Sequence, residues 1–340
     1  INFFEQLVLI ILSYLLISFL IALPFYLSNY QVTFLNSYFE AISGLTGTGF
    51  SIFRNIKYLD PTLILWRSSS QWIGGLYFLF FLILIFSNKQ FKYKMIDLTY
   101  SGDGNINSEN NAKDLLLKIF ILYSCLSFVI FLFLSIVDVR LFNSLNLSMS
   151  LISAGGFIPT NTLNSIIQSN TQKLVFIFSL FISLLNFFIA LNIFEKKLIL
   201  RDHKEDLYLI IIAIFLILLV YLKSENNLNI IINVMSSLCN SGLSLVSSDN
   251  NLSLYFIMIT IIGGSIISNT SGIKFMRIYI LLKTASSEIM KLVSPNSIVN
   301  KNLFSPNKQI TDENIKISFL IFISFFISMF ILSSILIADN

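Results

Sequence analysis

Apolar residues in this chain gather into long continuous runs, near 1–24, 62–86, 113–137, 173–194, 206–222, 253–273 and 315–337. Each run is close to the roughly 20 residues an α-helix needs to cross about 30 Å of hydrocarbon. Stretches such as Phe78 to Phe86 and Phe319 to Leu332 do not alternate with polar residues, so a membrane barrel is excluded. The pattern predicts an all-α integral membrane protein with seven spans.

Between the runs lie shorter helix-like pieces, each ending in a polar turn. Thr33 to Leu45 leads into Thr46-Gly47-Thr48-Gly49-Phe50, Leu141 to Ile152 into Ser153-Ala154-Gly155-Gly156-Phe157, and Leu228 to Leu238 into Cys239-Asn240-Ser241-Gly242-Leu243. Every turn has glycine at its fourth position. The order helix, half-helix, turn, helix therefore repeats three times, in units 1–95, 96–200 and 201–310. At 1.5 Å per residue the short pieces reach only about 15–20 Å, the length of re-entrant segments. Residues 311–340 read as the first helix of a fourth unit, and the expectation is that residues both before Ile1 and after Asn340 complete the pore.

Non-helical backbone at membrane depth is tolerated where protein buries it or where it lines a watery path. A half-helix ending at mid-membrane points its carbonyl end, with about half a negative charge, at the centre, which favours cations. The turns beyond it offer carbonyl oxygens in place of an ion's water shell. Aligning them requires residues at φ > 0, where glycine is free of the roughly 1–2 kcal/mol that a Cβ costs. The candidate cation-coordinating residues are thus Thr46, Gly47, Thr48 and Gly49, Ser153, Ala154, Gly155 and Gly156, and Cys239, Asn240, Ser241 and Gly242. The alternative for any single turn is an ordinary glycine helix cap.

Composition agrees: 55% of residues are hydrophobic and 12% charged, with a mean hydropathy of +0.81. The cations sort by loop. Lys89, Lys92, Lys94 and Lys113, then Lys196, Lys197, Arg201 and Lys204, then Lys274 through Lys316 lie on one side, with Arg54, Lys57, Arg140 and Lys223 on the other. The positive-inside rule makes the first set cytoplasmic and places residue 1 on that side. Cations trailing membrane helices are not a nucleic-acid face. Two cysteines, Cys125 and Cys239, give no disulfide framework.

The segment from Phe39 to Phe50, followed by Trp66-Arg67-Ser68 and Gln71-Trp72-Ile73-Gly74-Gly75, resembles the first pore loop and following helix of Trk-type potassium-uptake subunits. These belong to the Trk/Ktr/HKT superfamily, and the bacterial TrkH type is the nearest in motif order. Ala154-Gly155-Gly156-Phe157 is similar to the second filter of that family, and Gly263-Gly264 with Gly272-Ile273-Lys274 and Arg277 to the segment after the third. The resemblance implies a pseudo-fourfold pore, a homodimer of such pores in membrane lipid and a cytosolic nucleotide-binding regulatory ring. It also implies an intramembrane gating loop at Gly264 to Gly272, with Gly264, Ser265, Ser268, Asn269, Gly272 and Lys274 as gating candidates. Here that loop reads Ser265-Ile266-Ile267-Ser268-Asn269-Thr270-Ser271, bulkier than the family's small-residue pattern, and the third turn ends in Leu243 where Phe is common.

Among the remaining charges, Glu40 lies in the first half-helix and either raises cation density near the pore or pairs with backbone amides or an arginine. Arg67 reads as interfacial or as pore support. Lys274 and Arg277 read as cytoplasmic-end anchors or as gating residues. His203 sits among Arg201, Asp202, Lys204 and Glu205 in a solvated loop, and Ser101-Gly102-Asp103-Gly104-Asn105 is a polar turn without the strand-to-helix setting of a phosphate loop. Nothing supports an enzyme: there is no HExxH and no nucleophile with a histidine partner in the membrane region. The reading is potassium uptake across a bacterial inner membrane with K+ as cargo and no cofactor. The alternatives are a Na+-selective or Na+/H+-coupled transporter of the same architecture, or an inverted-repeat carrier.

Overall fold

The computed structural model describes residues 3–86, 109–194, 204–221, 227–245, 250–294 and 310–338. Among these the regular structure is helical and no strand occurs. Helix α1 (Phe3–Tyr26) is followed by the short α2 (Phe34–Leu45) and by α3 (Pro61–Phe86). The second unit comprises α4 (Glu109–Ile136), α5 (Leu141–Ile152), α6 (Asn170–Leu184) and α7 (Phe187–Phe194). The third has α8 (Lys204–Tyr221), α9 (Asn227–Cys239), α10 (Asn250–Ile262) and α11 (Phe275–Val293), and α12 (Asp312–Ala338) follows.

The half-helices occupy the interior. Helix α2 packs between α1 and α3, α5 against α3, α4 and α6, and α9 against α6, α8 and α10. Besides their neighbours in sequence, α5 thus touches the earlier long helix α3, and α9 touches α6. Leu147 and Leu151 of α5, Phe176 and Leu180 of α6, and Ile232 and Leu238 of α9 are buried in one apolar core. The outer helices turn their apolar side chains outward: Leu12 and Leu16 of α1 and Phe330 and Leu336 of α12 are more than half exposed, as a lipid-facing surface requires.

Three described helices, over Phe4–Tyr26, Leu116–Ile136 and Asp312–Ala338, are both long and apolar enough to cross a membrane. Helix α3 is 26 residues long and carries Arg67, Ser68, Ser69, Ser70 and Gln71 in its first half. Two expected spans are broken. The run 173–194 divides at Leu185, whose ψ of 161° ends α6 before α7 begins. The run 253–273 supplies only the 13-residue α10 before irregular backbone sets in. Conversely, part of the basic stretch expected as a loop from Lys274 to Lys316 is the 19-residue helix α11. Apolar runs report burial, and a break that finds hydrogen-bond partners inside the protein leaves that signal unchanged. His203, the turn from Ser101 to Asn105, and Lys89, Lys92 and Lys94 lie outside the described residues.

Candidate functional site

The three half-helices end alike. Thr46 and Ser153, at the C-termini of α2 and α5, keep helical backbone with φ of −83° and −85°. The chain then enters the left-handed region twice in every turn. Gly47, Ala154 and Asn240 have φ of 67°, 53° and 56°, and Gly49, Gly156 and Gly242 have φ of 80°, 94° and 66°. The fourth-position glycines are therefore where the sequence pattern expects φ > 0. The second position was not foreseen, because two of its occupants have side chains.

A hydrogen bond fixes each turn in the same register. The amides of Thr48, Gly155 and Ser241 donate to the carbonyls of Ser43, Ser150 and Ser236 at 3.0, 2.8 and 3.1 Å, closing the half-helix in the six-to-one manner of a Schellman cap. All three acceptors are buried serines, three residues before the first turn position. Their hydroxyls also reach the turn. Ser43 Oγ donates to the Phe50 carbonyl at 2.5 Å, Ser150 Oγ accepts from Gly156 N at 3.1 Å, and Ser236 Oγ lies 3.0 Å from Ser241 Oγ. This serine was missed in the sequence, although aligning the three repeats shows it.

The turns meet one another. A Cβ at Gly49 would lie 2.7 Å from the Gly155 carbonyl oxygen, and one at Gly156 would overlap the Ser241 carbonyl oxygen. Gln71 of α3 supports the second turn by accepting the Phe157 amide at 3.1 Å. Polar side chains at the turns bond to main-chain carbonyls of their own or of a neighbouring helix. Thr46 Oγ1 donates to the Ile42 carbonyl at 2.7 Å, and Cys239 turns its thiol away to the Leu180 carbonyl at 3.2 Å.

Around this centre stands a buried ion pair. Arg67 Nε donates to Glu40 Oε1 at 2.7 Å, with the side chains 1% and 0% exposed. Glu40 also accepts from Ser51 Oγ and from the Ile52 amide at 3.0 and 2.9 Å, just beyond the first turn. Arg67 lies with its Cζ 4.2 Å from the centre of the Phe157 ring, which closes the second turn. Glu40 is therefore the paired carboxylate of the two alternatives, and the interfacial placement of Arg67 is overturned: the guanidinium supports both turns from inside.

A cavity of about 370 Å³ opens between Thr46, Gly47 and Ser153 on one side and Asn269, Thr270 and Lys274 on the other. Its second wall is the irregular segment 263–274, which holds the gating candidates Gly264, Ser265, Ser268, Asn269, Gly272 and Lys274. Asn269 Nδ2 donates to the Ile152 carbonyl at the end of α5 at 2.9 Å, bringing this segment directly against the second half-helix. Lys274 is not an exposed anchor, being 7% exposed. Its Nζ donates to the Ser268 carbonyl at 2.9 Å and to the Thr270 carbonyl, with the hydroxyls of both residues at 3.2 and 3.4 Å. Its φ of 77° is unusual for a residue with a Cβ.

Residues 2–211 match the model of a family described as TrkH, cation transport protein. An uncharacterized cation transporter of Methanocaldococcus jannaschii is 26% identical over 96% of this chain and 69% of its own length. Trk system potassium uptake protein TrkG of Escherichia coli is 23% identical over 87% of this chain, and TrkH of Salmonella typhimurium 24% over 83%. The chain spans 64% and 62% of those two relatives. In fold, the crystal structure of the potassium transporter TrkH from Vibrio parahaemolyticus matches with a TM-score of 0.81 at 19% identity, over 98% of this chain and 71% of that one.

Proposed function

The chain belongs to the TrkH family of cation transport proteins, and from that premise we propose that it forms most of the pore of a potassium-uptake transporter. The ion is K+, stripped of water and held by backbone oxygens of residues 46–49, 153–156 and 239–242. The observation that carries this reading is the meeting of three turns, each with left-handed backbone at its second and fourth positions. Such a shape lets successive carbonyls face one path. In this reading the cavity beyond the turns is the ion's vestibule and the segment 263–274 its gate. Residue 1 is cytoplasmic, the membrane is a bacterial inner membrane, and two such pores pair under a cytosolic nucleotide-binding subunit, as the resemblance implies. Units 1–95, 96–200 and 201–310, with the helix from 311, are the pore's repeats.

The test is tracer uptake into proteoliposomes holding the complete gene product, with rubidium as the potassium stand-in and sodium as the competitor. Rubidium uptake that potassium suppresses and sodium does not is the expected result. Sodium uptake without rubidium uptake would assign the same architecture to sodium, and no cation uptake would overturn the reading.

A further inference from the structure

The break between α6 and α7 and the irregular segment 263–274 come from different units, yet they are hydrogen-bonded into one piece. The Phe187 amide donates to the Ile267 carbonyl at 2.8 Å, and the Ser265 amide donates to the Leu184 carbonyl at 3.2 Å. Gly264 lies so close that a Cβ there would be 2.8 Å from the Leu184 oxygen. Both parts are held by the first turn of α8. Asp206 Oδ1 accepts the Asn186 amide at 2.8 Å, and Glu205 Oε1 accepts the Ile266 amide at 3.1 Å. These adjacent carboxylates are 2% and 1% exposed. Glu205 thus belongs to a buried helix start and not to the solvated loop in which the sequence places it.

Backbone opened inside a membrane protein must have its amides and carbonyls satisfied locally. Here the opened segments bond to each other, and the two carboxylates take up one further amide from each. Separating the segments would strand at least four backbone groups in a buried place, each at a substantial cost. We propose that the α6–α7 break is a second part of the gate. It moves together with segment 263–274 as one body, and Asp206 and Glu205 are the positioning residues that pin that body to α8. This rests on the reading of segment 263–274 as the gate. The experiment below uses no ion flux, so a failure of coupling and a failure of the transport reading are told apart.

Leu184→Cys and Ile267→Cys, at positions 0% and 4% exposed, report opening of the break and of the segment by their rates of thiol modification. The background is Cys125→Ser, with any labelling of the buried Cys239 in the parent subtracted. Asp206 bonds the break, so Asp206→Ala is read at Ile267→Cys, and Glu205→Ala is read at Leu184→Cys. Coupling predicts about a tenfold faster reaction in both crossed pairs. Asp206→Asn, which keeps the acceptor oxygen, stays within about threefold of the parent. If each alanine change speeds only the cysteine of the segment it bonds, the proposal is overturned. Should the alanine variants not fold, hydrogen exchange of the unsubstituted chain decides. The amides of Phe187 and Ser265 then exchange within about threefold of each other, and a split of about tenfold or more overturns the coupling.

Discussion

Glu40 and Arg67, 27 residues apart in the chain, share a 2.7 Å hydrogen bond in a place where neither side chain is more than 1% exposed. The carboxylate holds Ser51 and Ile52 after the first turn, and the guanidinium covers Phe157 after the second. One ion pair therefore sets the spacing of two turns.

Breaking that pair leaves an uncompensated buried charge, for which the cost is about 3–5 kcal/mol. Arg67→Met and Glu40→Gln should each lower the unfolding temperature in detergent, because each leaves the other member of the buried pair without its partner. The double variant should recover part of the loss. An Arg67→Met protein as stable as the parent would show that the pair does not hold the turns.

The fourth-position glycines differ in their surroundings. An added Cβ at Gly49 or Gly156 runs into a carbonyl of the neighbouring turn, whereas at Gly242 nothing lies within 4 Å. Gly242→Ala therefore meets only the backbone cost of φ > 0, about 1–2 kcal/mol. Gly49→Ala and Gly156→Ala also push two turns apart. In rubidium uptake by the complete protein, the last two should lose far more discrimination against sodium than Gly242→Ala does. Equal effects at all three positions would remove the contact between turns as the reason.

The ammonium of Lys274 and its strained backbone separate by substitution. Lys274→Met removes the donor to the Ser268 and Thr270 oxygens, and each buried acceptor left unpaired costs about 1–3 kcal/mol. Lys274→Gly removes the same donor but relieves the φ of 77°, recovering about 1–2 kcal/mol. Amide exchange across 264–273 should be fastest in Lys274→Met, intermediate in Lys274→Gly and slowest in the parent. Parent-like exchange in Lys274→Met would show that the ammonium does not fasten the segment.

The sequence by itself determined what depends on neighbours along the chain. Continuous apolar runs announced an all-helical membrane protein. The short pieces ending in Thr46, Ser153 and Cys239 announced half-helices, and Gly49, Gly156 and Gly242 marked left-handed backbone because glycine alone adopts it without cost. Ser43, Ser150 and Ser236 were legible too, at a fixed distance from each turn. Tertiary structure alone decided the rest. Ala154 and Asn240 are left-handed despite their side chains because the caps and adjoining turns hold them there. The break at Leu185 is invisible in an apolar run, since the amides after it find Ile267 and Asp206, both far along the chain. Whether Glu40, Glu205 and Lys274 face solvent or lie buried likewise depends on partners distant in the chain. A buried charge or opened helix is stable only with such partners, and local sequence does not specify which partners the fold will supply.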